Sequence, residues 1–199
     1  MPLGAHKAAM MGTAGVSTAE SAVLLASNSS DTTDLASISF TSGIDSTYSK
    51  YVFRFYNINP ATDDEDFTFQ VSIDGGSNYN VTMTTTAFRA THSEADDSAE
   101  ATYQAAKDQA QGTAFQKLFT TLGSGADESL AGELILWNPS STTYVKHFMA
   151  RTIGYEAANA ATDFYVAGYF NDADDDINAI QFKMSSGNLD GTIKMWGVK

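Results

Sequence analysis

From Leu35 onward, apolar side chains return at every second position, the period of a strand with one buried face. Leu35–Phe40 reads as a Ser/Thr-rich strand. In 51–57 one face carries Tyr51, Phe53 and Phe55, while Lys50, Val52, Arg54 and Tyr56 fall on the other. Phe67, Phe69, Val71 and Ile73 alternate cleanly with Thr68, Gln70 and Ser72. The run Asp74-Gly75-Gly76-Ser77-Asn78 follows, and Tyr79, Val81 and Met83 resume the alternation. Asp-Gly and Gly-Gly supply the positive φ of a tight reversal, so a hairpin is expected here. Further strands are expected at 133–137, 144–151, 164–170, 177–184 and 191–198, separated by polar turn clusters at 138–141, 171–176 and 185–188.

Many short strands at regular spacing, without alternating helices, predict an all-β fold: an antiparallel, jelly-roll-like β-sandwich with an N-terminal arm. One region carries a different period. Phe115, Leu118, Phe119 and Leu122 sit at helical spacing and predict a short helix over 114–122. Residues 99–111 are rich in helix formers, yet tertiary pairing can make such a segment a strand, and both readings stand. No fixed internal period supports a propeller or a solenoid.

The first 34 residues differ from the rest. Residues 1–19 are small and weakly apolar, Ala19–Ala26 has the makings of about two helical turns, and Ser27–Asp34 is a polar loop-like cluster. The expected division is therefore an attachment arm, 1–34, and a β-sandwich domain, 35–199. A disordered terminus is the competing reading of the arm. Residues 8–16 resemble the apolar core of a signal peptide only weakly, because they are glycine-containing and low in hydrophobicity.

Composition narrows the function. With 24 acidic against 11 basic residues, the net charge of −13 disfavours nucleic acid and anionic membrane as partners. No apolar run approaches the ~20 residues of a membrane-spanning helix. The absence of cysteine removes disulfides, thiolate metal sites and cysteine nucleophiles.

Candidate chemistry is sparse. His6, His92 and His147 show no paired metal-ligand spacing. No strained serine elbow and no phosphate-cradling glycine loop occurs. Carboxylates gather at 63–66, 94–97 and 172–176, all in turns, where solvated charge is the ordinary outcome. No catalytic residue and no metal ligand is assigned, and no cofactor is expected. Asp172–Asp176 offers a cluster of oxygens suited to calcium but lacks the Asp-x-Asp-x-Asp-Gly loop with a distal Glu. Aromatic residues are the remaining resource. Tyr165 and Tyr169 share a face with Ala167, opposite Phe164, Val166 and Phe170, so both faces of that strand are apolar. A second burial surface implies self-association. Sugar-binding sandwiches use such rings as stacking platforms, which makes Trp137, Tyr165 and Tyr169 candidate glycan-binding residues.

Several stretches resemble a group of small structural proteins of tailed bacteriophages. The opening His6-Lys7-Ala8-Ala9 with Gly12-Thr13-Ala14-Gly15 is similar to their shared start. Tyr51–Phe55, Phe67–Tyr79 and Asn138–Thr143 resemble their body, and Ile177–Asn188 with Gly191–Val198 resembles their closing motif. The resemblance implies a virion protein with a jelly-roll-like domain, attached through the amino-terminal motif, with Leu3, His6 and Lys7 as attachment residues. It brings no catalytic residues and does not fix head or tail.

The expectation is thus a non-enzymatic component of the particle surface, either a capsid decoration protein or a short fibre or tail protein. Its expected partners are copies of itself, most simply in a homotrimer, and another virion protein. The alternative is a carbohydrate-binding module for host-surface glycan.

Overall fold

A computed structural model describes residues 21–172 and 174–199, with the backbone alone for 31–34. Its regular structure is twelve strands, with no helix among the described residues. They are β1 (Ala22–Leu35), β2 (Ile38–Phe40), β3 (Lys50–Pro60), β4 (Glu65–Ser72), β5 (Met83–Ser93) and β6 (Ala99–Tyr103), followed by β7 (Gln116–Leu122), β8 (Leu130–Trp137), β9 (Lys146–Glu156), β10 (Ala160–Phe170), β11 (Ala179–Met184) and β12 (Leu189–Val198).

Eight of the strands pair as a nested set: β1 with β12, β2 with β11, β3 with β8, and β4 with β7, all antiparallel. Rolled up, this long folded ribbon gives the jelly roll expected from the sequence, an all-β antiparallel sandwich. Two insertions extend it. The hairpin β9–β10 continues the first sheet beyond β8, and the hairpin β5–β6 continues it beyond β10. All twelve strands are hydrogen-bonded into one sheet, which folds over at the β7–β9 pairing into two layers: a first sheet running β1-β12-β3-β8-β9-β10-β5-β6 and a second running β2-β11-β4-β7. The sheets meet at Leu122 opposite Glu156, and at the far seam Asn28 Nδ2 donates to the Ser39 carbonyl at 3.0 Å.

The core fills the space between the sheets. Phe182 of β11 is fully buried and meets the rings of Phe40, Phe53, Phe55, Phe67 and Phe69 at centroid distances of 5.3–6.5 Å. Phe69, Phe148 and Phe170 continue that aromatic layer under the β9–β10 extension. Each such ring contributes about 2–3 kcal/mol by leaving water.

Three local expectations are corrected. The helix expected at 114–122 is β7. Two register shifts in its pairing with β4 place extra residues in β7, one at Leu118 and another between Phe119 and Leu122, where Thr121 adopts φ 56°. Bulges reset the inward parity, so Leu118, Phe119 and Leu122 all reach the core with a spacing that imitates a helix. The Gly75–Gly76 reversal exists, with φ of 74° and 91°, but it is no hairpin. β4 lies in the second sheet and β5 in the first, and residues 79–82 form no strand. The glycines report a local turn and say nothing of which strand the chain meets next.

The helical reading of 19–26 and the loop reading of 27–34 also give way, because β12 offers an edge that 22–35 occupies as β1. Ser30 Oγ of β1 donates to Asp190 Oδ1 of β12 at 3.2 Å. Residues 1–20, including Leu3, His6 and Lys7, lie outside the described residues. For 99–111, the strand reading holds at β6.

Candidate functional site

In a strand, alternate residues face opposite ways, and residues directly opposite on paired strands share a face. Following the register across the first sheet gives successive rows on its outer surface: Ala131, Ile153, Asp163, Ala90 and Ala101 form one, and three more lie to one side of it. One is Lys194, Arg54, Glu133, Arg151, Tyr165, Phe88 and Tyr103. A second is Leu24, Trp196, Val52, Ile135, Met149, Ala167 and Thr86. The third contains Trp137, His147 and Tyr169.

Ten large apolar side chains are exposed among the described residues, and eight stand on this surface: Leu24, Tyr56, Phe88, Tyr103, Met149, Ile153, Tyr165 and Tyr169. Ile153 is 54% exposed at the centre. Two shallow grooves of about 560 and 530 Å³ flank it, sharing Ala131 and Ile153. The small residues Ala90, Ala161 and Gly132 floor them, which is why Ile153 stands proud.

The central charges on this surface are paired within it. Arg151 Nε and Nη2 donate to the two carboxylate oxygens of Asp163 at 3.0 and 2.6 Å, a bidentate fork. Tyr165 Oη donates to Asp163 Oδ2 at 2.8 Å, and the Arg151 guanidinium lies 4.9 Å from the centre of the Tyr165 ring. The Arg151 hydrogen bonds hold the Asp163 carboxyl below the usual range. The Asp163 carboxylate raises the Tyr165 hydroxyl pKa. Arg54 pairs with Glu133 at 3.6 Å, and Lys194 covers the Tyr56 ring at 5.2 Å.

Of the residues singled out from sequence, Tyr165 and Tyr169 are exposed here, and Trp137 is half-buried at the end of β8. Trp137 and Tyr169 share a row with His147 between them, its imidazole 6.3 Å from the Tyr169 ring; Tyr165 lies two rows away. His147 is an exposed surface residue, and His92, also exposed, contacts Asp96 at 3.2 Å. Arg54, Glu133, Arg151, Met149, Ile153, Phe88 and Tyr103 were not singled out. The alternation through 147–153 carried the signal for three of them. The others required knowledge of which strands stand side by side.

The carboxylate clusters are occupied with local structure. Asp63 Oδ1 accepts from the Ser124 amide at 3.0 Å, Asp97 Oδ1 accepts from Ser93 Oγ at 2.6 Å, and Asp66 pairs with Lys117. The Asp172–Asp176 loop contains a cation of its own. Lys146 is fully buried, and its Nζ donates to the carbonyls of Asp172 and Asp175. Burial pushes the Lys146 ammonium below its ordinary value, while Asp172, Asp174, Asp175 and Asp176 pull it back up. Among the described residues, no three His, Asp or Glu side chains are placed to hold a metal ion together.

One further buried ionic group joins the extension to the sandwich. Glu156 accepts from Arg89 at 2.9 Å, from Thr121 at 2.5 Å and from Thr162 at 3.1 Å, and Arg89 also reaches Glu100 at 2.6 Å. This cluster fastens β5, β7, β9 and β10 to one another.

No protein-family model matches the chain, and comparison with curated proteins and with solved structures gives no significant match to it.

Proposed function

We propose that this chain is a non-enzymatic structural component of a bacteriophage particle, a jelly-roll module that works by adhesion through the outer surface of its eight-stranded sheet. The observation that carries this reading is the concentration on that one surface of eight of the ten exposed large apolar side chains among the described residues. The jelly roll is an architecture found in capsid and lectin domains alike, so fold and resemblance together favour a virion component without fixing its site. The turn carboxylates support a non-catalytic role, because they cap loops and pair with cations.

Residues 1–16, with Leu3, His6 and Lys7, are proposed to attach the module to another virion protein, as a decoration protein or as a short fibre or tail protein at the particle surface. Imaging of purified particles with an antibody against this chain tests the placement; an unlabelled particle refutes it. Deleting residues 1–16 is expected to leave the sandwich folded and to abolish incorporation. Normal incorporation refutes the attachment role.

A second reading rests on the row Trp137, His147 and Tyr169, which with Tyr165 offers rings and polar groups to a host-surface glycan. A glycan array with the purified chain separates the two: binding lost in Trp137→Ala and Tyr169→Ala favours the glycan module.

A further inference from the structure

We infer that the outer surface of the eight-stranded sheet is covered by a second copy of this chain, with Ile153, Met149, Tyr165 and Phe88 at the centre of the contact. This rests on the adhesive reading above and names the partner for that surface.

Three properties point to a copy rather than to a charged or polar ligand. The first is area. Eight strands at about 4.8 Å spacing and some seven residues at about 3.3 Å rise define a surface of about 900 Å². A standard stable interface covers about 800 Å² on each partner, so the sheet face alone is large enough.

The second is charge. The chain carries −13 overall, which keeps copies apart where its carboxylates are concentrated. The described side chains of this surface include four cations, Lys50, Arg54, Arg151 and Lys194, against two carboxylates, Glu133 and Asp163. The central ones are satisfied inside the subunit as Arg54–Glu133 and Arg151–Asp163. What remains at the centre of the surface is apolar area, and Lys50 and Lys194 stand on β3 and β12, away from that centre at β9 and β10. A docked copy therefore does not meet the acidic excess, and the apolar side chains that match this central surface are those of the same surface on another subunit.

The third is shape. Ile153 projects between two shallow grooves floored by Ala131, Ala90, Ala161 and Gly132. A projecting branched side chain beside apolar hollows of the same surface is the self-complementary relief that a homo-oligomeric contact uses.

The test uses the full chain at micromolar concentration in sedimentation velocity with light scattering. The expected mass is a multiple of 21.3 kDa, and the double variant Met149→Arg, Ile153→Arg is expected to fall to 21.3 kDa with its β-sheet circular dichroism retained. A wild-type mass of 21.3 kDa overturns the inference, and so does a multimer that survives the double variant.

Should the double variant fail to fold, single cysteines serve, since the chain has none of its own. A maleimide is expected to label Ile153→Cys slowly and Tyr144→Cys, on an exposed loop, quickly. Equal rates overturn the inference. Protection of Ile153→Cys in a 21.3 kDa species would assign the covering to the chain's own amino-terminal segment and would also overturn it. Particle imaging is independent of these readouts: a multimer built on this surface with unlabelled particles refutes the virion reading alone, and labelled particles with a monomeric chain refute this inference alone.

Discussion

The Lys146 ammonium donates to the Asp172 carbonyl at 2.5 Å, and by doing so it fills the acidic loop that joins β10 to β11. A second bond to the Asp175 carbonyl closes the loop around it. The side chain is inaccessible to water, so the loop folds on a cation covalently supplied by β9.

Replacing that cation leaves the carbonyls of Asp172 and Asp175 without their donor and removes the positive charge among Asp172, Asp174, Asp175 and Asp176. Lys146→Met is expected to destabilise the fold by about 2–4 kcal/mol, read by urea denaturation. Equal midpoints for wild type and variant would refute the role given to Lys146.

Asp74 anchors the Gly75–Gly76 reversal. It accepts from Ser72 Oγ at 2.6 Å, from the Asn78 amide at 2.9 Å and from Asn78 Nδ2 at 2.7 Å. The Ser72 and Asn78 hydrogen bonds lower its pKa from 3.8 to about 2. A carboxyl whose folded value lies below its unfolded one stabilises fully above 3.8 and loses that contribution as pH falls through about 2. An NMR titration of the Asp74 carboxyl is expected to show a midpoint near pH 2, and Asn78→Ala to move it upward.

Gly191 adopts φ 119° at the irregularity between Asp190 and Thr192 in the pairing of β12 with β3. A Cβ there would lie 2.6 Å from the Asn57 carbonyl oxygen, backbone that has nowhere to retreat. Gly191→Ala is expected to cost about 2–3 kcal/mol through strain and collision together. A thermal unfolding midpoint equal to that of the wild type would contradict it.

Arg89 bridges Glu156 and Glu100, and Glu156 is nearly inaccessible. Removing the guanidinium leaves the buried carboxylate with hydroxyl donors alone. Arg89→Ala is expected to cost about 3 kcal/mol and to loosen β5–β6 and β9–β10 from β7. Hydrogen exchange should show the faster amides confined to those strands, whereas a uniform change would point to global destabilisation instead.

The sequence predicted the sandwich because burial on one face of a strand writes a period of two directly into the chain, as at Tyr51, Phe53 and Phe55. It misled where the backbone departs from that period. The bulges of β7 brought Leu118 and Phe119 inward together, and β1 gained its strand from the edge of β12 rather than from its own residues. The candidate site was legible strand by strand: Tyr165, Ala167 and Tyr169 pointed to a second apolar face. That this face spans eight strands, with Ile153 at its centre and Arg151 locked to Asp163, follows from pairings between residues far apart in sequence, which periodicity cannot encode.

The nesting of β1 against β12 has a kinetic consequence. During synthesis the outermost pair of the roll lacks one member until residues 189–198 have left the ribosome, so β1 waits for a partner more than 150 residues further along the chain. Such distant pairings make folding slow, and until closure the apolar inner side of β1 and its neighbours stays open to wrong partners. An acidic chain of −13 keeps nascent copies apart during that interval.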